Sequence, residues 1–304
     1  MIHIKKISEL TGHAGAVYAL EQSETADCFY SGSSDKIVAR WNLKALCSET
    51  FSAQMPGIVY SLCLLPAKNI LLAGTSEGKI HVMDLAEKKE IKILQNHNQP
   101  IFDIKYSSLH ESILSAGGDG VLSVISADDF STIKLIKLCK EKIRAIAIFE
   151  NFAAVACGDG IIRIIDLKEL KVKNEFPAHT GSVYSVTFSP DGKLLLSGGK
   201  DAYLKSWLFQ PETSDLQPAT SIPAHNYSIY SIVFSPDNKY FATASRDKTI
   251  KIWDTGSFDI LIRINKEDFE GHNFSVNKLF WSKFNDRLIS TGDDKKVMVW
   301  EINS

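Results

Sequence analysis

The sequence predicts an all-β fold, a ring of seven small sheets stacked side by side as the blades of a β-propeller. Three observations support this. A unit of about forty residues recurs seven times in fixed phase. The local signals within each copy are short strands and tight turns. The copies fill residues 1–304, so one domain is expected, with no linker, low-complexity tract or second domain left over.

The repeat is most overt in two adjacent copies. One reads Ala178-His179, Val183-Tyr184-Ser185-Val186, Phe188-Ser189-Pro190-Asp191-Gly192, Ser197 and Asp201, and ends at Trp207. The next reads Ala224-His225, Ile229-Tyr230-Ser231-Ile232, Phe234-Ser235-Pro236-Asp237-Asn238, Thr243 and Asp247, and ends at Trp253. The same template fits the first copy (His13, Val17, Ser31, Asp35, Trp41) and the last (His272, Val276, Ser290, Asp294, Trp300). Three weaker copies lie between, through Ile58, Glu77 and Met83; through His97, Ile101, Ser115, Asp119 and Ile125; and through Ile143, Asp159 and Ile165. The tryptophan-equivalent positions 41, 83, 125, 165, 207, 253 and 300 each stand six residues after an acidic turn residue.

Each copy should open on an apolar strand beginning at Val17, Ile58, Ile101, Ile143, Val183, Ile229 or Val276. The Ser-Pro-Asp-Gly-Lys and Ser-Pro-Asp-Asn-Lys segments supply turn dihedrals. After the acidic turn, alternation resumes, with Ile250 and Ile252 on one face and Lys251 and Trp253 on the other. Stacking between neighbours buries both faces, so Trp253 need not be exposed.

The recurring His, Ser/Thr, Asp and Trp set resembles the WD-repeat (WD40) family, and the resemblance covers essentially the whole chain. It implies seven four-stranded antiparallel blades. It also implies closure of the ring by the N-terminal segment, Ile2 to Leu10, as the outer strand of the last blade. Copies two to four depart from the pattern and are expected to rely mainly on apolar packing.

Four complete polar sets are present: His13, Ser31, Asp35 and Trp41; His179, Ser197, Asp201 and Trp207; His225, Thr243, Asp247 and Trp253; His272, Ser290, Asp294 and Trp300. Ser, His and Asp invite a catalytic-triad reading. Their fourfold recurrence fits an internal hydrogen-bond chain better, with carboxylate, imidazole, hydroxyl and indole satisfying one another. No catalytic residue, metal or cofactor is therefore expected. The histidines fall on different copies without ligand spacing. The Gly-rich turns at 117–120 and 158–160 lack the Gly-Lys-Ser/Thr ending of a phosphate loop and read as sites of positive φ. Cys157 reads as an inert packed thiol.

In propellers of the resembling family, two positions per blade line the narrow face around the central opening. Carried over, the first set is Tyr18, Val59, Phe102, Arg144, Tyr184, Tyr230 and Asn277. The second is Ser34, Ser76, Gly118, Gly158, Lys200, Arg246 and Asp293. Aromatics and arginines are common interface anchors. The sector formed by Arg144, Tyr184, Lys200, Tyr230 and Arg246 would suit an acidic or carboxylate-bearing peptide segment. The plainer alternative is that the tyrosines merely fill the mouth and bond to water.

Composition narrows the function further. With 34 basic and 36 acidic residues the net charge is -2, so bulk charge does not favour a polyanion partner. The N-terminus lacks a signal-peptide core and no apolar run approaches a membrane span. Five cysteines, an odd number without paired spacing, fit a reducing, cytoplasmic setting. The expectation is a non-catalytic scaffold or adaptor, monomeric in isolation, that binds a protein or peptide on the channel face. A propeller enzyme or hydrolase would need convergent acids or histidines at the mouth. A nucleic-acid binder would need an extended basic stripe. A purely architectural subunit would need an apolar outer patch.

Overall fold

The computed structural model describes residues 2–213 and 215–303. Its strands form seven four-stranded antiparallel sheets. Within a blade, chain order is also the order outward from the axis. In blade six the strands are Ile229–Phe234, Tyr240–Ser245, Ile250–Asp254 and Ile260–Ile264. The inner three strands are almost wholly buried, because each sheet stacks on the next. Trp41, Trp253 and Trp300 are at most 1% exposed. Outer strands alternate between half-buried and exposed, as in Cys47–Gln54.

The last blade departs from chain order. His3–Leu10 pairs antiparallel with Val297–Asn303, from His3 opposite Asn303 to Leu10 opposite Val297. The N-terminal segment therefore supplies the fourth strand of blade seven and removes an open edge.

The turn after each acidic residue is built identically seven times. The next residue, Lys36, Gly78, Gly120, Gly160, Ala202, Lys248 or Lys295, takes a φ between 66° and 84°. Gly120 and Gly160 thus provide a left-handed turn, as the sequence suggests. Blade two uses Gly78 in the same way, and the remaining four blades hold a lysine or an alanine in the same conformation.

A second irregularity aims side chains at the axis. Each innermost strand slips register once against its neighbour, between Val17 and Ala19, Val59 and Ser61, Ile101 and Asp103, Ile143 and Ala145, Val183 and Ser185, Ile229 and Ser231, and Val276 and Lys278. A bulge leaves one residue unpaired and redirects its side chain. Here the skipped residues are Tyr18, Tyr60, Phe102, Arg144, Tyr184, Tyr230 and Asn277.

The residue after the skip often ties one blade to another. Asp103 Oδ2 accepts the Ile146 N–H at 2.8 Å. Ser185 Oγ accepts from Ile232 N at 3.0 Å, and Ser231 Oγ from Leu279 N at 3.1 Å.

Candidate functional site

The seven bulge residues form a ring at one mouth of the channel. Tyr18 and Tyr60 lie 5.2 Å apart between ring centroids, and Tyr60 and Phe102 5.4 Å. The Arg144 guanidinium sits over Phe102 at 4.4 Å and over Tyr184 at 5.3 Å. Tyr184 meets Tyr230 edge-on at 5.3 Å. Asn277 completes the circuit, donating to Asp293 Oδ1 at 2.8 Å and to the Val17 carbonyl at 3.2 Å. The rim is set beside this ring by a bond repeated in every blade: the N–H of Ser34, Ser76, Gly118, Gly158, Lys200, Arg246 or Asp293 donates to the carbonyl two residues before the ring residue.

The register corrects the sequence expectation in blade two. Its inner strand runs Val59–Leu65, so Val59 is the buried opening residue, equivalent to Val17, and Tyr60 holds the ring position. Counting the acidic turn residue backwards would have found it, since Tyr18, Tyr60 and Phe102 each precede theirs by seventeen positions. Five aromatics therefore line the mouth. Of the predicted sector, Arg144, Tyr184 and Tyr230 meet directly. Arg246 is exposed and lies over Tyr227 at 5.9 Å, while Lys200 stands exposed on the rim of blade five.

Arg144 is unusual electrostatically. Among the described residues no carboxylate pairs with it, and its Nε is buried without a hydrogen-bond partner. Burial depresses its pKa, and the surrounding tyrosines oppose that only partly. Below the ring the channel opens into a cavity of about 910 Å³. Its walls carry Glu21, Asp103, Lys105 and Lys278, with Lys105 Nζ 3.5 Å from Asp103. Burial pushes the Glu21 carboxyl up to about 7 against the pull of Lys105. These channel charges do not emerge from the repeat, because they occupy positions at which other blades hold alanine, serine, threonine, cysteine or larger apolar residues.

The polar sets are closed networks. In blade one His13 Nδ1 meets Asp35 at 2.9 Å, His13 Nε2 meets Ser31 at 2.7 Å, and the Trp41 indole donates to Ser31 at 2.7 Å. Blades six and seven repeat this through His225, Asp247, Thr243 and Trp253, and through His272, Asp294, Ser290 and Trp300. In blade five His179 bonds Asp201 and Ser197 at 2.8 and 2.7 Å. Trp207 there packs on Phe176 at 5.1 Å, and among the described residues no indole bond to Ser197 is present. Blade three departs from the expected reliance on apolar packing. His97 meets Asp119 at 3.1 Å and Ser115 at 2.8 Å, and only the indole is missing, replaced by Ile125.

In blade four Cys157 is not isolated. Its Sγ, that of Cys139 and a carboxylate oxygen of Asp159 lie within 4.8 Å of one another. The sequence hides this pairing, because the two thiols are eighteen residues apart, Cys139 in the link after Thr132–Lys137 and Cys157 at the end of Phe152–Cys157. At the periphery, the outer strands of blades two and three expose Ile91, Ile93, Ile133 and Leu135. Among the described residues no helix is long and apolar enough to cross a membrane.

Comparison with known proteins agrees with the repeat. The family model "WD domain, G-beta repeat" matches residues 4–42, 88–126, 170–207, 216–254 and 263–301, more than half of the chain. The mouse guanine nucleotide-binding protein subunit beta-like protein 1 is 29% identical over 147 residues, 47% of this chain and 45% of that protein. The fission yeast (Schizosaccharomyces pombe) U3 small nucleolar RNA-associated protein 21 homolog is 24% identical over 202 residues, 63% of this chain and 22% of that protein. The human WD and tetratricopeptide repeats protein 1 is 25% identical over 218 residues, 66% of this chain and 32% of that protein. The chain spans less than half the length of each of these relatives. Seven four-stranded blades closed by the N-terminal strand, together with the matched repeats, show that the chain belongs to the WD40 (WD domain, G-beta repeat) family.

Proposed function

We propose that the chain is a non-catalytic interaction scaffold that holds an acidic segment of a protein or peptide partner over the channel mouth. The observation that carries this reading is Arg144, a guanidinium held between Phe102 and Tyr184 with no carboxylate of its own. A cation kept in an aromatic, partly dehydrated setting gains more from an incoming carboxylate than one in bulk water. The flanking tyrosines add flat anchor surface, and exposed Lys200 and Arg246 extend the positive side of the rim. The histidines and aspartates that could have served catalysis are engaged with one another inside the blades. The five free thiols support a reducing, cytoplasmic setting.

The test is an array of paired peptides that differ only by Asp/Glu against Asn/Gln, probed with the native protein and with Arg144→Gln. Binding that prefers the acidic member of a pair and is lost in Arg144→Gln supports the reading. Equal binding of both members, or a variant that binds as well as the native protein, excludes it.

A further inference from the structure

Blade four departs from the common polar network in two coordinated ways. Leu138 and Cys139 both donate their N–H groups to the Gly120 carbonyl. Ala178 and His179 make the same pair of bonds to Gly160, and Ala224 and His225 to Ala202. Cys139 therefore stands where those blades place the imidazole. Cys157, two residues before Asp159, stands where blades three, five and seven have Gly117, Gly199 and Gly292. The position lies against the imidazole and holds a small residue wherever a histidine is present, glycine in these three blades, Ser33 beside His13 in blade one and Ser245 beside His225 in blade six. A Cβ at Gly117 would lie 2.2 Å from His97 Nδ1, and one at Gly199 2.5 Å from His179 Nδ1. Blade four places a thiol at both of these adjoining positions.

The spacing of these two positions suits a covalent bond. A Cβ built at Gly199 lies 2.6 Å from His179 Cγ. That atom is one carbon–carbon bond, about 1.5 Å, from its own Cβ. The two Cβ atoms at this pair of positions are thus within about 4 Å, inside the range a disulfide needs. In blade four the two sulfurs already lie within 4.8 Å. The third group, Asp159, is not free to hold a metal. Its two oxygens accept from Arg163 Nη1 and Nη2 at 3.2 and 2.9 Å, and Arg163 Nε is engaged by Glu175 at 3.1 Å. A guanidinium at that point repels a dication and favours a thiolate.

We propose that Cys139 and Cys157 are a site of reversible oxidation, joined as a disulfide within the blade when the protein meets a hydroperoxide. The half-buried Cys139 is the first to react. Its thiol is held down at about 7, chiefly by the hydrogen bond it receives from the Cys157 thiol, while that same bond and burial push Cys157 up. The Cys139 thiolate attacks one peroxide oxygen, the O–O bond breaks, and a sulfenic acid forms as hydroxide or alkoxide leaves. Cys157 then gives up its proton and its sulfur attacks Cys139 Sγ. The S–O bond breaks, and the hydroxyl leaves with that proton as water. Each sulfur loses one electron overall and the peroxide gains two. A thiol reductant reverses the bond by exchange. The other cysteines provide internal controls. Burial raises the Cys28 thiol to about 11 and holds Cys63 well above the ordinary thiol range, and Cys47 is exposed without a thiol partner among the described residues.

The test is peptide mass mapping of the native full chain after brief treatment with hydrogen peroxide, with and without later reduction by dithiothreitol. The expected result is a linked 139/157 peptide pair lacking two hydrogens, restored by the reductant, in protein that stays monomeric. Cys139→Ser, at the more accessible position, should abolish the link, and Cys47→Ser should leave it intact. Three results would overturn the proposal: Cys139 advancing to sulfinic acid with Cys157 untouched, cross-links only between separate chains, or both thiols protected by stoichiometric zinc that co-purifies.

Discussion

Asn277 donates its side-chain amide to the carbonyl of Val17 at 3.2 Å, joining the last inner strand to the first across 260 positions of sequence. This bond and the pairing of His3–Leu10 with Val297–Asn303 close the ring at two radii. The outer closure is the larger of the two. It buries Leu10 beside Val297 and Val299, and packs Ile2 and Ile4 against the Trp300 cluster. Each well-buried aliphatic side chain contributes about 1.5–3 kcal/mol. Deleting residues 1–10 should therefore cost at least about 3 kcal/mol and leave Val297–Asn303 as an open edge prone to self-association. Thermal melting together with light scattering checks this. A truncation that melts with the full chain and stays monomeric would remove the closure from the stability account.

The indole bonds give a comparison internal to the protein. Trp253 donates to Thr243 at 2.9 Å, whereas Trp207 rests on Phe176 without the equivalent bond among the described residues. Trp253→Phe and Trp207→Phe remove similar apolar volume. They differ in the loss of a buried hydrogen bond, worth about 1 kcal/mol. In urea denaturation Trp253→Phe should be the more destabilised by about that amount. Equal losses would mean that the indole–hydroxyl bond contributes nothing net.

The number of blades, their strands and the closing segment are all legible in the sequence, because each rests on a feature repeated seven times. What the repeat conceals are positions where one blade breaks phase. In Ile58-Val59-Tyr60 two aliphatic residues compete to open the strand, and the bulge that decides between them is a three-dimensional feature. Choosing Ile58 displaces the ring residue from Tyr60 to Val59. Blade three looks apolar when the missing tryptophan is weighted most, yet His97, Ser115 and Asp119 bond without it. Blade four carries a shorter link between its first two strands. Its Cys139 therefore precedes Asp159 by twenty residues, where each histidine precedes its aspartate by twenty-two. Only the shared backbone bonds to the preceding turn identify it as the imidazole's replacement.

The buried imidazoles make stability depend on pH. Burial lowers the pKa of His97, His179 and His225, with the paired aspartates opposing only in part. Between the folded value and the ordinary one near 6.5, the unfolded chain binds more protons than the folded one. Stability therefore falls as pH drops below about 6.5. The aspartates act in the same direction at lower pH. Burial alone would raise Asp35, Asp201, Asp247 and Asp294, but their histidine partners and backbone N–H groups outweigh it and lower all four. Their stabilisation is present above about 4 and is lost as pH falls below it. Glu21 works in the opposite sense, because its buried carboxyl, held up at about 7, takes a proton in the folded chain before the unfolded one. In Glu21→Gln, which removes that opposing group, the melting temperature should change little between pH 8 and 7, decline from about 6.5 downward, and decline more steeply below about 4. A melting temperature that rises on acidification from pH 7 to 5 would contradict the neutral, buried imidazoles.

The glycine beside the His97–Asp119 pair supplies a sharp test of the network's geometry. At Gly117 an added Cβ would lie 2.2 Å from both Asp119 Oδ1 and His97 Nδ1, so Gly117→Ala forces this blade to shift toward the arrangement of blades one and six, where Ser33 and Ser245 stand beside His–Asp bonds of 2.9 Å. Overpacking of this kind costs about 1–3 kcal/mol. At Gly256, in a turn on the outer side of blade six, the nearest atom to an added Cβ is 3.4 Å away. Gly256→Ala should therefore be nearly neutral, while Gly117→Ala loses about 1–3 kcal/mol in denaturant titration. The loss at Gly117 should shrink in a His97→Ala background, because the atom it strikes is gone. An unchanged loss there would place the strain elsewhere than in the His97–Asp119 pair.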